Sequence, residues 1–184
     1  ARCVLKPFGI QCVGFVVQIG PARAQVPIGM RPDDLLMARD ANEVYTPDPA
    51  AVEGMKAKIR KAKEDKDTLG GIIEVRVFGC PPGLGSCMRY QDKLDGRLMQ
   101  AVGSVQAIKG VEIGLGFEAA SRPGSQVHDP IDFDPTRRET PDLGFVRRSN
   151  NAGGLEGGMT NGETVVVRAV MKPISTLLRG MDSV

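Results

Sequence analysis

Three runs rich in β-branched residues constrain this 184-residue chain more than any other feature: Ile10 to Ile19 (IQCVGFVVQI), Ile72 to Phe78 (IIEVRVF) and Thr164 to Met171 (TVVVRAVM). Such runs, bounded by breakers, read as strands. Gly20-Pro21 ends the first, and Pro173, which cannot donate to a ladder, ends the last. The first run is apolar almost throughout and reads as well buried. The second alternates Ile73, Val75 and Val77 with Glu74 and Arg76, the pattern of a strand covered on one face only. Between them, Asp48-Pro49 supplies an N-cap and a first-turn proline, and Val52, Met55, Ile59 and Ala62 follow as one apolar helical face. A second helix is expected to open at Asp92, with Asp95 as a capping-box-like partner and a stripe of Leu94, Leu98, Ala101 and Val105. Shorter elements are expected from Pro32-Asp33, at Val111 to Ile113 and near Phe117 to Ala120. Strands and helices alternate, yet several connections are short enough for antiparallel pairing. The expected class is therefore α/β in the α+β sense, a sandwich of mixed or antiparallel sheet with packed helices.

Ala1 to Phe8 reads as the last turns of a helix closed by Gly9, so residues 1–184 are expected to form a single partial domain, a piece of a longer protein. Within it, 129–148 is polar, rich in proline and arginine, and expected as a flexible loop. The 24 basic and 22 acidic residues leave a formal charge of +2, too small to point to nucleic acid or a membrane surface as partner. The four cysteines show no CxxC pair, and His128 is the one histidine, which argues against a zinc site. No apolar run approaches the roughly 18 residues of a membrane span, and the start lacks the pattern of a secretory signal. These readings place the protein in the cytoplasm with reduced thiols.

Two stretches could carry chemistry. Asn150 to Gly162 (NNAGGLEGGMTNG) holds five glycines, a density that costs chain entropy unless a ligand or a neighbouring backbone must come close. Spacing alone leaves ligand binding and a close-packed turn both open. The run is not a Walker loop, since no Gly-Lys-Ser/Thr follows, and Gly114-Leu115-Gly116 lacks the third glycine of a dinucleotide fingerprint. Lys172 to Thr176 (KPIST) puts a cation and two hydroxyls directly after a strand, where donors could converge on a phosphate or where a strand simply ends.

These stretches, taken with DKDTLGG (Asp65 to Gly71), GCPPGLG (Gly79 to Gly85), DKLDGRL (Asp92 to Leu98) and AIKGVEIGLGF (Ala107 to Phe117), resemble the middle of chorismate synthase, in the same order. The resemblance implies a lyase that carries out anti 1,4-elimination of phosphate from 5-enolpyruvylshikimate 3-phosphate, giving chorismate for aromatic amino-acid biosynthesis. It implies reduced FMN as cofactor, NADPH as a possible reductant, and a homotetramer. Family flavin contacts fall on Gln106 and Ala107, on Gly157, and on Lys172, Pro173, Ile174, Ser175 and Thr176. Gln106 departs from the Asn often found there but keeps the amide, and Asn151 departs from the usual His or Arg. The family's histidine-bearing and most of its arginine-rich blocks have no counterpart in this chain. The resemblance therefore implies no catalytic residue here and an inactive fragment. The alternative is a non-catalytic flavin-binding or assembly module.

Overall fold

A computed structural model describes residues 1–140 and 142–181. A short helix, α1 (Arg2–Leu5), and a 3-10 turn end at Gly9 in the left-handed conformation (φ 72°), as the opening residues suggest. Strand β1 (Gln11–Ile19) turns at Gly20 into β2 (Ala22–Arg23). Helix α2 (Pro32–Asp40) begins with proline and two aspartates, which suit the positive end of its dipole. Helix α3 (Pro49–Glu64) is capped by the Asp48 carboxylate, which accepts from Ala50 N at 3.0 Å. Then come β3 (Gly71–Phe78), α4 (Leu94–Gly103) and β4 (Ile108–Ile113). A hairpin of β5 (Ile131–Phe133) and β6 (Phe145–Arg147) follows. A second, smaller hairpin of β7 (Leu155–Glu156) and β8 (Met159–Thr160) precedes β9 (Val165–Met171).

The main sheet has the order β2-β1-β3-β9-β4, and every pairing in it is antiparallel. The α+β expectation holds, and of the mixed and antiparallel alternatives the sheet takes the second. On one face, Val13 and Phe15 of β1 pack with Leu35 of α2. On the other, Val165 and Val167 of β9 pack with Leu155 and with Leu94, Leu98 and Val102 of α4. Helix α3 lies against β1 and β2, burying Met55 completely. No helix among the described residues is long and apolar enough to cross a membrane.

Several expectations are corrected. Helix α4 opens at Leu94, not Asp92, because Tyr90–Asp92 forms a separate 3-10 turn. Among the described residues Asp95 bonds only the next amide, Gly96 N, and makes no capping box. The stripe runs through Leu94, Leu98 and Val102, while Ala101 and Val105 are exposed. Strand β4 starts three residues earlier than Val111, and a bulge between Ile108 and Gly110 hides it in the pattern. Apart from these corrections, the stretch 129–148 contains the β5–β6 hairpin, with Phe133 and Phe145 edge to face at 5.5 Å.

The largest correction concerns β3. Its charged side is the buried one: Arg76 is 1% and Glu74 4% exposed. Arg76 Nε donates to Glu74 Oε1 at 2.7 Å, and its other nitrogens donate to the carbonyls of Val26, Pro27 and Ile28, which strap across the sheet. Its guanidinium also stands 5.2 Å from the centre of the Phe15 ring. Glu74 faces Arg168 across β3 and β9, and Arg168 faces Glu112 across β9 and β4. Arg168 Nε reaches Glu74 Oε2 at 2.7 Å, while Nη1 reaches Glu112 Oε1 at 3.1 Å and the Gly114 carbonyl at 2.8 Å. Two carboxylates and two guanidiniums thus alternate across three neighbouring strands, and the charges cancel within the sheet. Burial works against the Arg168 charge, but the bonds to Glu74 and Glu112 outweigh it and hold the group more firmly protonated than usual.

Candidate functional site

The glycine-rich run is mostly explained by packing. All five of its glycines have positive φ. At Gly154 a side chain would come within 2.7 Å of the Thr164 carbonyl, and at Gly158 within 2.7 Å of the Ser86 carbonyl. At Gly153 it would overlap the backbone of Gly114, whose own side chain would in turn overlap the Asn151 carbonyl. Gly162 sits against Pro82. Gly157 alone in this run faces open space: among the described residues, nothing lies within 4 Å of where its Cβ would be. The two explanations left open by spacing are therefore divided between residues. Gly153, Gly154 and Gly158 permit backbone contact, Gly162 meets only side-chain atoms, and Gly157, exposed at the β7–β8 turn, leaves room for something else.

Asn150 closes the base of this loop. Its amide donates to the Thr164 carbonyl at 2.7 Å and accepts from Gly154 N at 2.8 Å. Asp129, on which sequence alone placed no role, accepts from Ser149 Oγ at 2.5 Å, Asn151 N at 2.8 Å and Ala152 N at 2.9 Å. Burial alone would raise its pKa. The bonds from Ala152, Ser149 and Asn151, with the nearby Arg147 charge, prevail and hold it below the usual aspartate value. The signal that could have found Asp129 is a short polar residue at the neck of a hairpin, where bare amides need an acceptor.

The other candidates gather at the far end of β9. Lys172 N donates to the Ala107 carbonyl at 2.9 Å, continuing the β4–β9 ladder by one step. Ala107 adopts φ 69°, a strained conformation for a residue with a Cβ, where the chain leaves α4 for β4. Gln106, Lys172, Pro173, Ile174, Ser175 and Thr176 are exposed. The side chains of Gln106, Lys172, Ser175 and Thr176 make no hydrogen bond among the described residues, while the Ile174 carbonyl is held by Thr68 Oγ1 at 2.8 Å. Beside them lies a cleft of about 530 Å3 floored by Val16, Ile73 and Met171 and flanked by Ile59, Ile174 and Leu178.

The structure thus joins seven of the eight candidates and leaves Gly157 apart. Gly158 O accepts from Leu94 N at the start of α4, whereas Gln106 follows its end, so the two sets lie roughly 15 Å apart along the helix at 1.5 Å per residue. His128 is exposed, in keeping with a surface loop.

These features define an α+β protein whose antiparallel sheet carries shaped loops with uncommitted polar groups at its ends. The family follows from the sequence as a whole. The chorismate synthase family model matches residues 1–184, and the chain belongs to that family. It is 52% identical to chorismate synthase of Geobacter sulfurreducens over 185 residues, covering 100% of this chain and 47% of that protein. It is 50% identical to that of Desulforamulus reducens over 184 residues, covering 46% of that protein. A crystal structure of chorismate synthase superposes with a TM-score of 0.83 at 45% identity, over 93% of this chain and 51% of the other. The chain spans about half the length of the curated relatives it matches.

Proposed function

We propose that this chain supplies part of the cofactor wall of a chorismate synthase, a lyase that releases phosphate from 5-enolpyruvylshikimate 3-phosphate by anti 1,4-elimination, in the cytoplasm and as a homotetramer. The observation that carries the reading is the bond from Lys172 N to the Ala107 carbonyl. It brings two family flavin segments, distant in sequence, to one strand end where their polar side chains remain uncommitted.

The residues fit a flavin phosphate ester. The amide of Gln106 can donate and accept, the Lys172 ammonium offers charge to an anion, and Ser175 and Thr176 offer hydroxyl donors. Gly157 leaves room for close approach. It joins the same wall through a ligand long enough to run along α4, or through a second copy of the chain. Reduced FMN, when bound, supplies transient electron donation as phosphate leaves and a nitrogen that accepts the proton, with NADPH or another donor as the reductant. The chain's own residues bind, orient and balance charge, the usual division of labour with a cofactor. No catalytic acid or base is assigned to them.

Assay of the full-length protein with reduced FMN and the enolpyruvyl substrate tests the reading, and absence of chorismate would sink it. The fragment alone should not turn over. Titration of residues 1–184 with FMN separates the enzyme reading from a self-sufficient binding module: tight binding without turnover favours the module, and weak or no binding favours a wall that needs the rest of the protein.

A further inference from the structure

The stretch 129–148 lies between β4 and β9, carries the separate β5–β6 hairpin and leads into the glycine-rich run, which it touches at two places. At the base, Asp129 takes three donors from Ser149, Asn151 and Ala152. At the tip, Arg147 Nη2 donates to Glu156 Oε2 at 2.6 Å and Nη1 to the Asn161 carbonyl at 3.0 Å. Glu156 immediately precedes Gly157, and its Oε2 also accepts from Asn161 Nδ2 at 2.8 Å. The Arg147 side chain is only 13% exposed, and its Nε is buried with no partner among the described residues. A guanidinium held this deep with one donor unsatisfied is costly, so its position is set by the two bonds it does make.

We infer that Asp129 and Arg147 are positioning residues for the β7–β8 turn, holding Gly157 in place from its base and from its flank. The inference rests on the flavin reading of Gly157. Without these supports, Asn150 and the Gly153–Gly114 contact still anchor the run to the sheet. The turn beyond them would then be free to sample other conformations, because glycines resist them least.

The test uses the full-length protein and the variants Asp129→Asn, Asp129→Ala, Arg147→Met and Arg147→Lys. Asn keeps the shape of Asp but faces at least one amide donor with a donor of its own. Flavin affinity is measured directly, with kcat and KM for the enolpyruvyl substrate at saturating FMN, and amide exchange is followed over residues 149–161. Asp129→Asn and Arg147→Met should each weaken flavin binding about tenfold and Asp129→Ala further, with substrate KM within about twofold of wild type. Arg147→Lys, which keeps the charge but not the fork, should recover only part of the loss. Exchange at Asn151 and Ala152 should rise in the Asp129 variants and at Glu156 to Met159 in the Arg147 variants. Normal flavin affinity in folded Asp129→Asn and Arg147→Met overturns the positioning role while leaving the flavin reading intact. Failure of the wild type to bind FMN overturns both, even if the exchange pattern behaves as described. Should Asp129→Ala fail to fold, Asp129→Asn and Arg147→Met still decide.

Discussion

Replacing Arg76 by Met tests whether the charged side of β3 supports the fold. Methionine keeps most of the apolar stem but removes every donor. Four acceptors lose a partner: Glu74 Oε1 and the carbonyls of Val26, Pro27 and Ile28. A buried acceptor without a donor costs about 1–3 kcal/mol, and the strap is only partly buried, so the carbonyls account for roughly 3 kcal/mol. Breaking a buried ion pair costs about 3–5 kcal/mol, but Glu74 keeps Arg168, so its share falls below that range. Together these give about 4–5 kcal/mol, a large part of the roughly 5–15 kcal/mol of a typical domain. Urea unfolding followed by far-ultraviolet circular dichroism measures it. With a slope of about 2–3 kcal/mol/M, the midpoint should drop by about 2 M. Glu74→Gln should cost about 3 kcal/mol, and the double variant less than the sum of the two, because both single changes break the same bond. A loss under about 1.5 kcal/mol in Arg76→Met would refute the reasoning, since water would then be serving the strap as well as the guanidinium does.

Gly114→Ala should prevent folding or lower stability by more than about 4 kcal/mol, because its methyl would overlap the Asn151 carbonyl at φ 59°. Gly157→Ala, with a similar φ of 61° but open surroundings, should cost only about 1–2 kcal/mol in thermal unfolding while weakening flavin binding. Asp48→Ala should cost about 1–2 kcal/mol by the same measurement, since the cap of α3 and the acceptor for Gln25 N at 2.8 Å disappear together. For Asp129 the folded pKa lies below the unfolded value of about 3.9. Its contribution is therefore present above the unfolded value and is lost as pH falls through the folded one. The melting-temperature gap between wild type and Asp129→Asn should be full at pH 7 and close in acid, and a gap that persists at the lowest pH would contradict a stabilising role for the Asp129 carboxylate.

The elements that sequence made legible are those whose cause is local. Asp48-Pro49 announces α3 because a cap and a fixed φ act within one turn, and β1 and β9 show themselves by runs that are mostly apolar and rich in β-branched residues. Glu74 and Arg76 were misread for the opposite reason. Alternation separates two faces but does not say which is buried, and although Arg76 and Glu74 pair within β3, the groups that complete the network, Arg168 on Glu74 and Glu112 on Arg168, lie on strands far away in sequence. The same holds at the site. KPIST and Gln106-Ala107 stand out through family resemblance, yet their meeting depends on β9 pairing with β4, and Asp129 emerges only when the loop's bare amides are located.

The strand order carries one more consequence. β9 lies between β3 and β4, although everything from Gly114 to Thr164 is made after β4 and before β9. During synthesis β3 and β4 therefore emerge with unpaired edges facing a gap, a state prone to mispairing and slow to resolve because the missing contacts are distant along the chain. When β9 arrives, Val166 bonds both Gly114 N and the Gly153 carbonyl. The strand that fills the gap thus also draws the glycine-rich hairpin onto the sheet, and the ribosome must deliver the hairpin before either can be completed.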